Sequence, residues 1–193
     1  MYETLIQYIN TYTTKPLTQS EIDIVKNIFT PRRIRKRQYF LQEGDVCRYM
    51  GFIVKGAMRQ YSVDDKGTEH IVRLYIENWW AGDRESFVML TPSNYNIDAW
   101  EDTDMLTITK AGVAEFDSVP ALNELARKLD EKHSIAYLKR INSAISLPAE
   151  QRYAELAKTY PELLQRFPQH VIASYLGITK ETLSRVRSQA LRK

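Results

Sequence analysis

Between Pro120 and Pro148 no glycine or proline interrupts the chain, and this stretch constrains everything on either side of it. Leu122, Leu125, Ala126, Leu129, Ile135, Ala136, Leu138, Ile141 and Ile145 recur at helical spacing, which predicts an amphipathic helix of roughly seven turns. At about 1.5 Å per residue such a helix spans near 40 Å. That is too long a stripe for one small domain to bury, so part of it is expected to meet a second copy of itself, as in a two-stranded coiled coil. The plainer alternative is a helix packed only on its own domain.

The segment before this helix has a different texture. Thr18 can cap a helix with Glu21 three residues on, and Ile22, Val25, Ile28 and Phe29 follow on one face, with Pro31 as the expected stop. From about Arg33 to Thr109 come short runs rich in β-branched and aromatic residues: 38–41, 50–54, 58–62, 70–75, 96–100 and 105–109. Turn signals such as Glu43-Gly44-Asp45, Lys55-Gly56 and Asp64-Asp65-Lys66-Gly67 separate them. Many short strands at close spacing predict an antiparallel barrel or sandwich.

After Pro148, which reads as a hinge, the strongest local signal lies at 169–186. It reads as helix, tight turn, helix. Ala173 is small where two helices approach, Gly177 can take the positive φ of a sharp turn, and Thr179 is a natural N-cap. With Ile172, Leu176, Ile178, Leu183 and Val186 inward, the second helix (179–191) turns Lys180, Glu181, Thr182, Ser184, Arg185, Ser188 and Gln189 outward. Lys180, Glu181 and Arg185 have the chemistry of base readers, because Arg or Lys pairs with guanine and Glu accepts from the cytosine amino group. Thr179, Thr182 and Arg187 suit phosphates. A bland helical hairpin would share the amphipathy but has no need of these small, turn and cap residues together.

Charge distribution points the same way. Residues 166–193 hold six bases (Arg166, Lys180, Arg185, Arg187, Arg192, Lys193) and one acid, whereas residues 1–165 hold 21 bases and 23 acids. A basic end on a slightly acidic protein is the electrostatic footprint of nucleic-acid binding, though a solvated basic tail gives the same count. Apolar residues make up 44% and charged residues 26%, which is an ordinary folding composition. No apolar run approaches the roughly 18 residues of a membrane span, and the first residues lack the pattern of a signal peptide, so the expectation is a cytoplasmic protein without a membrane partner. The single cysteine, Cys47, rules out an internal disulfide and a cysteine-held cluster.

Taken in order, the β-rich part, the long helix and Ile178-Thr179-Lys180-Glu181-Thr182-Leu183-Ser184-Arg185 resemble the Crp/Fnr family of bacterial transcription regulators. The resemblance continues through Leu41-Gln42-Glu43-Gly44-Asp45, Gly51-Phe52-Ile53-Val54-Lys55-Gly56, Asp65-Lys66-Gly67-Thr68-Glu69 and Trp80-Ala81-Gly82-Asp83. It implies an α+β chain with an antiparallel β-roll sensor of the cyclic nucleotide-binding type (residues 1–110, with N-terminal helices). A dimerisation helix (111–148) and a helix-turn-helix DNA-binding domain (149–193) would follow. It further implies a homodimer on double-stranded DNA, with RNA polymerase as a further partner, and Lys180, Glu181 and Arg185 as the base readers.

Two departures bear on mechanism. Where relatives that bind cyclic nucleotides hold the ribose, this chain reads Gly82-Asp83-Arg84-Glu85-Ser86. Where an arginine would hold the cyclic phosphate, it reads Ser93-Asn94-Tyr95. A buried phosphate without a paired cation loses its strongest contact, so the effector expected in this pocket is not cyclic AMP, with Arg84 the only stand-in. No cofactor is expected beyond an unidentified small-molecule effector. The second departure is the absence of a clear wing after the recognition helix, which is expected to lower affinity for DNA. A rival reading keeps the fold as a cyclic nucleotide-binding signalling module acting on protein partners, but gives Lys180, Glu181 and Arg185 no purpose.

Other features have plainer readings. The run Arg32-Arg33-Ile34-Arg35-Lys36-Arg37 could touch DNA or acidic lipid, but a charged edge strand is the preferred reading. Cys47 beside Arg48 reads as a redox thiol or, more simply, an ordinary loop cysteine. Trp79, Trp80 and Trp100 with Tyr75 and Tyr95 read as a ligand pocket or as roll core. His70, His133 and His170 are too scattered for a metal site, and no phosphate loop, nucleophile elbow or His-Glu-x-x-His pattern occurs, so no enzyme is expected.

Overall fold

The computed structural model describes residues 1–190. Two helices open it, α1 (Tyr2–Tyr12) and α2 (Gln19–Ile28). The cap of α2 is reciprocal: Thr18 Oγ1 accepts from the Glu21 amide at 3.4 Å, and the Glu21 carboxylate accepts from the Thr18 amide at 2.7 Å. Helix α1 has no such side-chain cap. The stop expected at Pro31 is corrected, because α2 ends at Ile28 and Pro31 lies inside strand β1 (Phe29–Ile34). Proline has no N–H to give a ladder, and it is tolerated there because β1 is the edge of its sheet. Arg32 and Arg33 sit on that edge, while Arg35, Lys36 and Arg37 lie in the turn that follows.

The remaining strands are β2 (Tyr39–Leu41), β3 (Tyr49–Lys55), β4 (Met58–Val63), β5 (Glu69–Tyr75), β6 (Trp80–Ala81), β7 (Asn96–Ala99) and β8 (Thr103–Thr109). They form two four-stranded antiparallel sheets, ordered β1-β8-β3-β6 and β2-β7-β4-β5. Side chains alternate across a strand, and here both faces of the first sheet are used. Ile34, Ile53 and Met105 point into the roll and meet Leu41, Met58, Tyr75 and Ile97 of the second sheet. Their neighbours Phe29, Phe52, Leu106 and Ile108 point out, where helices cover them. The cover is α1, α2, α4 (Lys110–Ser118) and the first half of α5 (Pro120–Ser146), through Leu5, Ile9, Val25, Phe116, Leu122 and Leu125. Pro120 starts α5 at a position where a missing N–H costs nothing.

Four helices complete the described chain: α6 (Ala149–Thr159), α7 (Pro161–Arg166), α8 (Gln169–Leu176) and α9 (Lys180–Ala190). They do not hang free. Leu163, Phe167, Val171 and Ile172 share one apolar cluster with Tyr61, Ile71, Leu74 and Ile76 of the roll. At the rim of this contact Trp79 meets Tyr160 at 5.1 Å and Trp100 meets Phe167 at 5.9 Å. Trp80 lies elsewhere, against Phe29 and Phe52, so the three tryptophans form no common pocket. Among the described residues no helix is long and apolar enough to cross a membrane.

Candidate nucleic-acid interface and sensor region

Helix α8 ends because Gly177 adopts φ +65°, in the left-handed region that a side chain would strain. That turn lets the Gly177 amide donate to the Ser174 carbonyl and the Ile178 amide to the Ala173 carbonyl, each at 3.0 Å. Two residues on, Thr179 Oγ1 accepts from the Thr182 amide at 3.2 Å and so caps α9. Leu183 and Val186 are buried, which fixes the roll of α9 about its axis. Lys180, Glu181, Ser184, Arg185, Ser188 and Gln189 are exposed, at the three- and four-residue spacing that makes one helix face. Thr179 is exposed at the end of that face and Thr182 is half-buried on its flank. Arg187 is half-buried and turned aside, where it lines a crevice with Tyr153, Leu164 and Phe167. The end of the expected helix at Leu191, with Arg192 and Lys193, lies outside the described residues.

The electrostatics of this face suit base reading. The backbone amide of Glu181 and the Thr179 hydroxyl hold the Glu181 carboxyl below the usual carboxylate range. It is therefore an ionised, acceptor-only group at neutral pH. One of the six bases counted toward the positive end does not belong to this field. Arg166 donates through Nε to Glu101 at 3.1 Å and also pairs with Glu77, so its charge is neutralised at the contact with the roll.

The expected effector loop is partly a helix. Gly82, at φ +154°, follows β6, and a Cβ there would collide with the Met50 side chain. Asp83 then caps α3 (Arg84–Met89): its Oδ1 accepts from the Glu85 amide at 3.1 Å and from the Ser86 amide at 3.5 Å. Its Oδ2 accepts from Ser93 Oγ at 2.7 Å, and Ser93 Oγ accepts from the Tyr95 amide at 3.1 Å. Ser86 Oγ accepts from the Cys47 amide at 2.8 Å and donates to the Thr91 carbonyl at 2.6 Å. Gly82, Asp83, Ser86 and Ser93 are thus brought together, with Tyr95 beside them. Arg84, Glu85 and Asn94 are exposed, and Arg84 pairs with Asp130 of α5, Nη2 to Oδ2 at 2.8 Å.

The polar groups of this segment are bonded largely to one another. Both carboxylate oxygens of Asp83 are already bonded within the loop, and the arginine of this segment, Arg84, pairs with Asp130 of α5. The roll interior between the sheets is filled by Leu41, Met58, Tyr75, Phe87 and Ile97. Cys47 is buried beside them, and burial pushes its thiol up, which opposes the thiolate of a redox sensor.

Residues 31–117 match the family model of the cyclic nucleotide-binding domain. No curated protein matches the sequence. Among solved structures, FixK2 from Bradyrhizobium japonicum is similar at 20% identity, covering 84% of this chain and 84% of its own, with a TM-score of 0.66. A variant of CooA from Carboxydothermus hydrogenoformans is similar at 19% identity over 87% of this chain and 78% of its own, with a TM-score of 0.70. A protein from Eubacterium rectale, described as a transcriptional regulator of the Crp/Fnr family, reaches a TM-score of 0.63 at 15% identity, over 91% and 85% of the two chains. The chain therefore shares the fold of these structures, one of them described as a Crp/Fnr regulator, and within it residues 31–117 match the cyclic nucleotide-binding domain.

Proposed function

We propose that this protein is a cytoplasmic, dimeric regulator of transcription that reads a palindromic DNA site through α9. The observation that carries this is the exposed face of Lys180, Glu181, Ser184 and Arg185, held in place by buried Leu183 and Val186 directly after the Gly177 turn. Donors and one ionised acceptor on a single exposed helix face can satisfy base edges in a major groove. Ser188 extends that face, and Thr179 and Thr182 at its start meet phosphates. Residues 1–110 act as sensor, 111–148 as dimer helix and 149–193 as DNA-binding domain.

The dimer follows from α5. Ile135, Leu138, Ile141 and Ile145 are 50%, 69%, 56% and 81% exposed, an apolar stripe that no part of the same chain covers among the described residues. A second copy buries it, and two recognition helices about 34 Å apart enter successive major grooves. The effector is not cyclic AMP, a reading supported by the absence of an arginine at Ser93-Asn94-Tyr95 and by the pairing of Arg84 with Asp130. Double-stranded DNA and a second copy are the partners, and RNA polymerase follows from the transcription role. The test is a binding titration on a palindrome selected from random DNA. Arg185→Ala is expected to cost about 1–3 kcal/mol and to relax specificity at one base of each half-site. Equal binding and equal specificity in the variant would refute the assignment.

A further inference from the structure

The ladder between β4 and β5 contains an irregularity. Gln60 faces Arg73 and Tyr61 faces Ile71, so the register skips Val72. An extra residue in one strand is left out of the ladder, and its backbone groups need another partner. The carbonyl of Val72 finds one in Arg140, which reaches it from the second half of α5 through Nη1. The same guanidinium donates through Nη2 to the Tyr175 carbonyl at 3.3 Å and lies over the Tyr175 ring, 4.2 Å from its centroid.

Tyr175 is in the last turn of α8, where helical carbonyls have no partner within the helix. Here each is accounted for. Ala173 and Ser174 accept from the turn amides, Tyr175 accepts from Arg140, and Leu176 accepts from Arg152 of α6 at 2.6 Å. Ser174 adds a second tie to the same strand: its Oγ accepts from the Ile71 amide at 2.9 Å and donates to the Glu69 carbonyl at 3.2 Å. The end of α8 that leads into α9 is therefore fixed to the edge of the roll, and Arg140 joins β5, α5 and α8 through one guanidinium.

We infer that Arg140 is a positioning residue for the recognition helix, setting the angle of α9 to the dimer helix without touching DNA. This rests on the DNA-binding reading above. An α9 of eleven residues is about 16 Å long, so a tilt of about 10° at its start moves its far end by roughly 3 Å, close to one base-pair step. Two such helices in a dimer turn small tilts into a change in the half-site spacing they prefer. Lysine cannot replace the arginine, because one ammonium cannot span both carbonyls and stack on the ring.

The test measures affinity of the intact protein for palindromes whose central spacer varies in single base-pair steps. Wild type is expected to show one sharp spacer optimum. Arg140→Met and Arg140→Lys are expected to bind the best spacer at least fivefold more weakly and to show a shifted or flattened optimum. Lys139→Met, a neighbouring exposed position on α5, is expected to keep the wild-type profile. Thermal melting and dimer content accompany each variant, since a merely structural role lowers the active fraction and leaves the optimum in place. A variant with an unmoved optimum overturns the inference, as does a salt dependence of binding reduced by about one phosphate contact. Wild type that selects no palindrome overturns the DNA-binding reading and this inference with it.

Discussion

The two halves of α5 both carry apolar residues at helical spacing and meet opposite fates. Leu122, Leu125 and Leu129 in the first half are buried under α1, α2 and the outer face of the first sheet. Ile135, Leu138, Ile141 and Ile145 in the second half are exposed, although they recur at the same kind of spacing. Periodicity tells a helix which side is apolar, but not what lies against it. The first half is a structural element of the roll, and the second half is a surface.

Breaking the first half should have the larger effect. Leu125→Ala is expected to lower stability by about 2–5 kcal/mol in urea unfolding, since a fully buried leucine leaves a cavity when truncated. A loss below about 1 kcal/mol would mean that the roll does not depend on this cover. Leu138→Asp should do something different in kind, raising the dimer dissociation constant roughly tenfold to a hundredfold. Sedimentation at several protein concentrations reads this directly, and the unfolding of the roll should stay near wild type. If the variant remains as dimeric as wild type, the second half is not the contact between copies.

The third test sharpens the contrast through pH. Glu124, in the first half, accepts from Lys128 and from the Thr14 amide and hydroxyl, which hold its carboxyl at about 2 against an ordinary 4.5. Its folded value lies below its unfolded value, so its contribution is complete above pH 4.5 and fades as pH falls towards 2. Glu124→Gln should flatten the slope of stability against pH within that window and nowhere above it. The smallest effect is expected at the junction of the halves, where Arg84 and Asp130 are both more than half exposed. Arg84→Ala should change stability by less than about 1 kcal/mol, and added salt should abolish even that difference.

The same contrast explains what was legible in the sequence. The turn at Gly177, the cap at Thr179 and the cap at Thr18 are local chemistry, carried by residues within three or four positions of each other. Six strand runs were legible through β-branched and aromatic residues between turns, while β6, with two residues, was too short to leave a pattern. Pro31 misled because a proline ends a helix but is equally at home on an edge strand. Asp83 stands in the segment expected to line an effector pocket, and its capping of α3 was not read from the sequence. Arg166 was counted as part of a field for DNA, yet its partners Glu77 and Glu101 lie 89 and 65 residues away. Arg140 left no signal at all, because both of its acceptors are backbone carbonyls and any residue could have supplied them.

The seating of Ser174 on β5 also sets a timetable for the nascent chain. The amide it covers belongs to Ile71, 103 residues earlier. A ribosome adding about 5–20 residues per second needs roughly 5 to 20 s to make that interval. Until the late helices are made, the β5 edge and the apolar surface around Leu74 and Ile76 lack their cover. The late helices thus seal the roll, and a fragment cut at Pro148 is expected to collect in inclusion bodies.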